Sequence, residues 1–320
     1  MRRLPSLFAA PALLALSAFP TLAASDVIAS IKPLHSLVAG VMDGVAEPGL
    51  LIDGAGSPHA YSLRPSQARA LEQADVIFWV GHELETFLEK PIATLGADAQ
   101  AVSLAESDGI ELLPYREDGE FGGHDHEAEG DHDEHAESGH GHANEHEAMD
   151  MHIWLDPENA KAMVDTIRLA LTNTDPANAD RYDANAAALT EKLERLAAEL
   201  ETELAPVKDR PFVVFHDGYH YFENRFGMEA AGAITVNPEV APGAERLSEI
   251  RDRLQGLRAA CVFAEPQFEP KLVSVVIEGT GARSAVLDPL GASIDAGPDL
   301  YFDLMRQMGE SFRHCLDPNG

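Results

Sequence analysis

The first half of the chain alternates short apolar runs with stretches in which apolar residues recur at helical spacing. The short runs predict β-strands at residues 26–31, 50–52 and 75–80. The amphipathic stretches predict helices at residues 34–42, 65–73 and 84–95. Because strands that alternate with helices along a chain pair in parallel, this half predicts a parallel sheet flanked by helices.

The second half repeats the same alternation. Strands are predicted at residues 212–215, 231–236, 261–264 and 285–287. Helices are predicted at residues 244–257, 271–278 and 300–312. A second parallel sheet with its own flanking helices follows, so the fold class is α/β with two domains.

The longest helical signal lies between the two halves. Its apolar stripe falls on one face at spacings of four, three, four and four residues, and comprises Leu189, Leu193, Leu196, Leu200 and Leu204. A start near Asp175 and Pro176 gives a helix of about 30 residues and about 45 Å. One long rigid helix would join the two domains, and two shorter helices with a break are the alternative. The predicted boundaries are 25–174 for the first lobe, 175–208 for the bridging helix and 209–320 for the second lobe.

The first 24 residues have the layout of a secretory signal peptide. A positive Met1-Arg2-Arg3 segment precedes an apolar stretch over residues 4–18, and Ala23 and Ala24 offer a cleavage point. A membrane anchor is the alternative, but the apolar stretch is shorter than the roughly 20 residues that a spanning helix needs. The sequence therefore predicts Sec-type export to the periplasm of a Gram-negative bacterium.

The charge of the chain is strongly acidic, with a formal net charge of −31. Such a surface repels nucleic acid and favours cationic ligands. Thirteen acidic residues and no Lys or Arg fall between Glu117 and Asp150. The surrounding segment, residues 114–151, has low complexity and predicts a mobile surface loop, because it cannot bury enough apolar surface to become ordered.

Half of the 14 histidines lie in that acidic segment. They are His124, His126, His132, His135, His140, His142 and His146. Imidazoles interleaved with carboxylates predict several weak, exchangeable sites for zinc and related metals. The alternative is an acidic solubilising tract with incidental histidines.

Cys261 and Cys315 are the two cysteines. An even number of cysteines in an exported chain favours a disulfide, and two buried free thiols are the alternative. A loop of this length would stabilise the folded state by about 4 kcal/mol on the chain-entropy model.

Three histidines outside the acidic segment lie beside predicted strand ends or helix starts. His59 precedes a predicted helix, His152 precedes the helix start at Asp156-Pro157, and His216 follows the apolar run at residues 212–215. Ligands of open α/β sheets bind at the carboxyl ends of the strands, so the three side chains could converge between the lobes. Taken singly, each is more often a structural or surface histidine.

Five segments of the chain resemble a known family. Residues 31–44, 58–67, 152–157, 215–223 and 288–291 are similar, in order, to the cluster A-I metal-binding components of ABC importers, in particular to the zinc-specific branch. The resemblance implies two lobes joined by a bridging helix, with His59, His152 and His216 as zinc ligands. A histidine at position 216 favours Zn²⁺, whereas manganese-type relatives carry a carboxylate there.

The fourth ligand is less determined by the resemblance. Some zinc relatives have a glutamate directly before the first histidine, where this chain has Pro58, which cannot ligate. Water or Asp288 remains, and Asp288 could equally accept a hydrogen bond from a ligating imidazole. His220 departs from the family pattern and is either a transient ligand or a surface histidine.

The function implied is capture of Zn²⁺ in the periplasm and delivery to an ABC importer permease with its ATPase. An auxiliary periplasmic zinc-binding protein is a further possible partner, and a monomer that does not bind nucleic acid is expected. Alternatives are a manganese-binding or other divalent-metal protein of the same family, or a zinc buffer or adhesin without a transport role. Enzymatic activity is not expected, because the sequence lacks an HExxH motif and a nucleophile elbow.

Overall fold

The computed structural model describes residues 25–116 and 148–317, except positions 236, 237, 241, 259 and 270. The predicted signal peptide, 1–24, and residues 117–147, which carry the seven clustered histidines, lie outside the described residues.

The strands are β1 Val27–Ala29, β2 Gly49–Leu50, β3 Val76–Trp79, β4 Gln100–Ser103, β5 Leu113–Pro114, β6 Met149–Asp150, β7 Phe212–His216, β8 Gly232–Thr235, β9 Cys261–Ala264 and β10 Arg283–Val286. The helices are α1 Lys32–Val41, α2 Pro65–Gln73, α3 Thr86–Thr94, α4 Pro157–Thr174, α5 Ala179–Leu204, α6 His220–Phe226, α7 Ala244–Leu257, α8 Lys271–Ile277 and α9 Leu300–Leu316.

The first sheet has the strand order β2-β1-β3-β4, and all of its neighbouring strands are parallel. The apolar runs that predict β1 and β3 are almost fully buried. β4 was missed by the sequence reasoning because it is an edge strand whose first two residues are exposed, so it carries no apolar run. The parallel sheet with flanking helices is confirmed.

The second sheet has the strand order β10-β9-β7-β8 and is also parallel throughout. Every residue of β7 and β8 is buried. A disulfide joins Cys261 at the start of β9 to Cys315 in α9, with a Cα–Cα distance of 5.9 Å. The structure therefore confirms the predicted disulfide and excludes two free thiols at these positions.

The long helix α5 spans 26 residues and buries the predicted leucine stripe. It packs against α1 and α4 on the side of the first sheet and against α9 on the side of the second. The predicted helix of about 30 residues is longer than the observed one, because residues 176–178 form a separate 3₁₀ turn that begins with Pro176. The bridging position agrees with the predicted fold class, while the predicted domain boundaries stay a prediction.

The ends of the predicted 114–151 loop are not irregular. Pro114 in β5 pairs with Met149 in β6, and Leu113 pairs with Asp150, in a short antiparallel ladder. This ladder holds the two ends of the acidic segment next to each other. Within the part of the chain that the structure describes, no helix combines the length and the apolar character needed to cross a membrane.

Candidate metal site

Three histidines from separate parts of the chain come together in one group. His59 lies in the loop between β2 and α2, and His216 is the last residue of β7. His152 follows β6 and precedes the 3₁₀ turn Ile153–Leu155. The structure thus brings together the three histidines that the sequence analysis singled out.

The spacing of the three rings suits a shared metal ion. Each ring offers one nitrogen, and these atoms all lie within 4.8 Å of one another. The Nε2 atoms of His152 and His216 are 3.2 Å apart. Two nitrogens that each lie 2.0–2.1 Å from a tetrahedral zinc ion are about 3.3 Å apart. The observed distance therefore matches the spacing of two ligands on one zinc ion.

Two buried carboxylates fix the orientation of two of the rings. Asp150 Oδ1 lies 2.6 Å from His152 Nδ1, and Glu265 Oε1 lies 2.6 Å from His216 Nδ1. Both acidic side chains are only 1 % exposed. Each carboxylate accepts a hydrogen bond from the Nδ1–H group, which leaves Nε2 as the atom that faces the other ring and can bind a metal.

The charge states of the histidines differ. Burial, followed by the neighbouring His152 and His216, lowers the pKa of His59 to about 2, so its imidazole is neutral at physiological pH. Burial also opposes the charged form of His216, but the adjacent Glu265 carboxylate outweighs burial and raises its pKa above the ordinary value. Protons therefore compete with a metal ion more strongly at His216 than at His59, because a ligating imidazole must be neutral.

Asp288 does not join the three histidines. Its Oδ1 accepts hydrogen bonds from Gln267 Nε2 at 3.0 Å and from the Leu290 amide at 3.2 Å, and its Oδ2 accepts one from the Ala292 amide at 2.6 Å. Both carboxylate oxygens of Asp288 are therefore engaged in hydrogen bonds that stabilise the turn after β10. His220, at the start of α6, also lies outside the histidine group.

Asp150 and Glu265 were missed by the sequence reasoning, although each had a local signal. Asp150 stands two residues before His152. Glu265 follows β9 directly, and β9 is the parallel neighbour of β7, which ends at His216. An acidic residue at the carboxyl end of the neighbouring strand is placed to reach the Nδ1 atom of a histidine there.

The fold and the site together define a metal-binding protein with two parallel sheets and a three-histidine group between their loops, in which His152 and His216 are buried. The family model described as "ZnuA: Zinc-uptake complex component A periplasmic" matches residues 27–315. This chain belongs to that family.

Curated relatives cover nearly the whole chain. The high-affinity zinc uptake system protein ZnuA of Brucella abortus (strain 2308) is 52 % identical over 332 residues, which is 99 % of each chain. The protein of the same name from Yersinia pestis is 38 % identical over 298 residues, or 92 % of each chain. A solved structure titled "Crystal structure of ZnuA" superimposes with a TM-score of 0.75 at 26 % identity, and covers 92 % of this chain and 100 % of its own.

Proposed function

We propose that this chain is the periplasmic zinc-binding component of an ABC-type importer. It captures Zn²⁺ on His59, His152 and His216 and delivers it to a membrane permease driven by an ATPase. The observation that carries the proposal is the group of three histidine nitrogens within 4.8 Å, two of whose rings are held by buried carboxylates. The proposal is also supported by curated relatives that share up to 52 % identity with this chain and are named as high-affinity zinc uptake proteins.

The charges around the site favour a divalent cation. Asp150 and Glu265 are buried carboxylates in direct contact with two of the rings, and buried charges are costly unless they are compensated. A Zn²⁺ ion bound to three neutral imidazoles brings the sum of these charges to zero. Imidazole nitrogens favour Zn²⁺ over Mn²⁺, which prefers oxygen ligands.

The placement of the ligands also suits a carrier that must release its cargo. His59 comes from the side of the first sheet and His216 from the second, so a displacement between the two sides would remove a ligand. Docking on the permease supplies that displacement. The working form is a periplasmic monomer from which residues 1–24 have been cleaved, with an auxiliary zinc-binding protein as a possible second partner.

The first test measures zinc affinity by competition with a chelator, which isolates the tightest site in the full chain. His59→Ala, His152→Ala and His216→Ala are each expected to weaken binding by about 100-fold or more, since loss of even an outer hydrogen-bond partner costs about 10–100-fold. His82→Ala is the matched control, because its side chain is 63 % exposed and lies outside the group. Unchanged affinity in all three variants would reject the site.

The second test separates transport from buffering. A strain that lacks the protein is expected to grow poorly when zinc is chelated, and the wild-type chain restores growth while His216→Ala does not. Restoration by His216→Ala would favour a role that does not need the tight site. Preferential protection of the purified chain against heat by Mn²⁺ rather than Zn²⁺ would favour the manganese alternative.

A further inference from the structure

The side chain of Tyr219 is fully buried and lies beside the His216 ring. The centroids of the two rings are 6.0 Å apart, and the angle between the ring planes is 59°. Tyr219 directly precedes α6 and follows His216 closely in the chain. A buried tyrosine hydroxyl needs a hydrogen-bond partner, because burying an unpaired polar group is costly. The partner of this hydroxyl therefore bears on the metal site.

Two acceptors lie near the Tyr219 hydroxyl. It forms a hydrogen bond with the Glu265 side chain, and it lies 3.4 Å from the carbonyl oxygen of Leu287. The second distance is long for a hydrogen bond between two oxygens. A hydroxyl has only one hydrogen to donate, and a carboxylate is a stronger acceptor than a neutral carbonyl. Burial and the neighbouring Glu265 raise the pKa of Tyr219 well above its ordinary value, so the hydroxyl keeps its proton and donates it to Glu265.

Glu265 connects Tyr219 with His216. Its Oε1 atom lies 2.6 Å from His216 Nδ1 and 3.3 Å from the backbone nitrogen of His216. The Glu265 side chain is only 1 % exposed, and a carboxylate stays charged in such a place only when hydrogen-bond donors compensate it. The Tyr219 hydroxyl is a donor that does not belong to His216. It stabilises the charged form of Glu265, which is the form that accepts from the Nδ1–H group of His216.

We infer that Tyr219 is a positioning residue for the metal: its hydroxyl fixes the Glu265 carboxylate, which in turn holds the His216 ring with Nε2 free to bind the ion. This inference rests on the proposed function. Tyr219 acts without touching the metal, through a chain of hydrogen bonds at the carboxyl ends of two neighbouring strands, β7 and β9. Loss of the hydroxyl leaves Glu265 with fewer donors and the His216 ring less firmly oriented.

His152 is supported in a different way. Asp150 Oδ1 lies 2.6 Å from His152 Nδ1, as Glu265 Oε1 does from His216 Nδ1. The Tyr221 hydroxyl, however, donates to the backbone carbonyl oxygen of Asp150, 2.6 Å away, and not to its carboxylate. Loss of the Tyr219 hydroxyl is therefore expected to disturb His216 and to leave His152 unchanged. His152 thus provides an internal reference for the test.

The first test compares the two rings in the zinc-free full chain by NMR of isotope-labelled histidine side chains. Tyr219→Phe keeps the aromatic ring and removes only the hydroxyl. The Nδ1–H signal of His216 is expected to shift in this variant, while that of His152 stays in place. His216→Ala and His152→Ala assign the two signals by their disappearance. An unchanged His216 signal in Tyr219→Phe would overturn the inference.

The second test measures zinc affinity by chelator competition. Tyr219→Phe is expected to bind zinc about 10-fold more weakly, at the lower end of the cost of losing an outer hydrogen-bond partner. Tyr182→Phe is the matched control. The Tyr182 ring is also buried and its hydroxyl donates to a carboxylate, Asp175 Oδ2 at 2.9 Å, but it lies on α5, outside the histidine group. Equal losses in the two variants would assign the effect to the fold and overturn the inference.

The third test asks whether Tyr219 acts through Glu265. In a Glu265→Met background, Tyr219→Phe is expected to cause little further loss of zinc affinity, because the acceptor of its hydroxyl is already absent. An undiminished loss there would overturn the inference, and the NMR comparison decides if Glu265→Met does not fold. Wild-type affinity in Tyr219→Phe, together with lost affinity in His216→Ala, would overturn the inference and leave the proposed function intact. Wild-type affinity in His216→Ala would count against the proposed function itself.

Discussion

At the scale of single residues, Gly218 decides whether the site has room for a metal. A Cβ atom at this position would lie 2.4 Å from His216 Nε2 and 3.0 Å from His152 Nε2. Zinc ligated by both nitrogens would lie about 2.0–2.1 Å from each, so the methyl group of an alanine would occupy the space of the ion. The backbone φ of Gly218 is not positive, so space and not backbone strain is the reason for glycine.

Gly218→Ala is expected to reduce zinc affinity by about 100-fold or more, because the added methyl group obstructs the metal position and displaces the His216 ring. Chelator competition measures the affinity, and circular dichroism with thermal unfolding measures the fold. Gly243→Ala is the matched control, since a Cβ there meets nothing within 4 Å. Wild-type affinity in Gly218→Ala would show that the ion does not lie between His152 and His216.

At the scale of secondary-structure elements, α5 owes its position to its leucine stripe. Leu193, Leu196, Leu200 and Leu204 are fully buried. The helix contacts α1 and α4 as well as α9, so it packs against elements that belong to both sheets. Burial of each leucine contributes about 1.5–3 kcal/mol, and the stripe therefore fixes how the two sides are joined.

Leu196→Ala is expected to lower the free energy of unfolding by about 2–5 kcal/mol, because it removes buried methyl groups and leaves a cavity beside the helix. Denaturant unfolding measures the change. Leu169→Ala on α4 makes the same substitution at a side chain that is 46 % exposed, and a change within about 0.5 kcal/mol is expected there. Equal losses in the two variants would contradict the packing role of the stripe.

At the scale of the whole molecule, a cluster of charged side chains joins the start of the acidic segment to the side of the second sheet. It consists of Arg116, Asp217 and Glu223. Arg116 donates to both oxygens of Asp217 and to both oxygens of Glu223, with Nη1 at 2.8 Å from Glu223 Oε2. The side chains of Asp217 and Glu223 are 3 % and 2 % exposed. Asp217 follows His216 directly, so the cluster connects the first half of the chain to the end of the strand that carries a proposed ligand.

Arg116→Met is expected to destabilise the fold by about 3–5 kcal/mol near neutral pH, because it leaves two buried carboxylates uncompensated. Burial raises the pKa of Asp217 above its ordinary value, although the Arg116 guanidinium acts in the opposite direction. Loss of the guanidinium therefore raises this pKa further. The folded variant then binds more protons than the unfolded chain, so its stability falls as pH rises. The cost of the substitution should accordingly shrink as the pH is lowered from about 7 to about 5.

Denaturant unfolding at both pH values checks this expectation. Arg306→Met provides the control, because Arg306 pairs with Glu199 at the surface, where the side chains are 38 % and 50 % exposed. A change of at most about 1 kcal/mol is expected for that pair. A pH-independent cost for Arg116→Met would show that the lost packing of its aliphatic part, and not the buried charge, dominates.

The sequence alone was sufficient wherever the determining chemistry is local. Short apolar runs predicted seven strands within a few residues of their observed positions, and the helix bounds at Pro65–Gln73 and Ala244–Leu257 agree with the prediction. The spacing of the leucines predicted the long helix, and the even cysteine count predicted the disulfide. These features follow from periodicity, capping and composition, which a single chain segment carries in itself.

Only the tertiary structure decided which polar groups serve the site. Glu265 meets His216 because β9 and β7 are neighbours in the sheet, although the two residues are separated by 49 positions in sequence. Asp288, a candidate ligand by resemblance, has its oxygens engaged by the turn that follows it. The direction of a side chain and its competing hydrogen bonds depend on elements that are distant in sequence. The sequence and its family resemblance therefore singled out the three histidines as candidates, and packing decided which groups surround them.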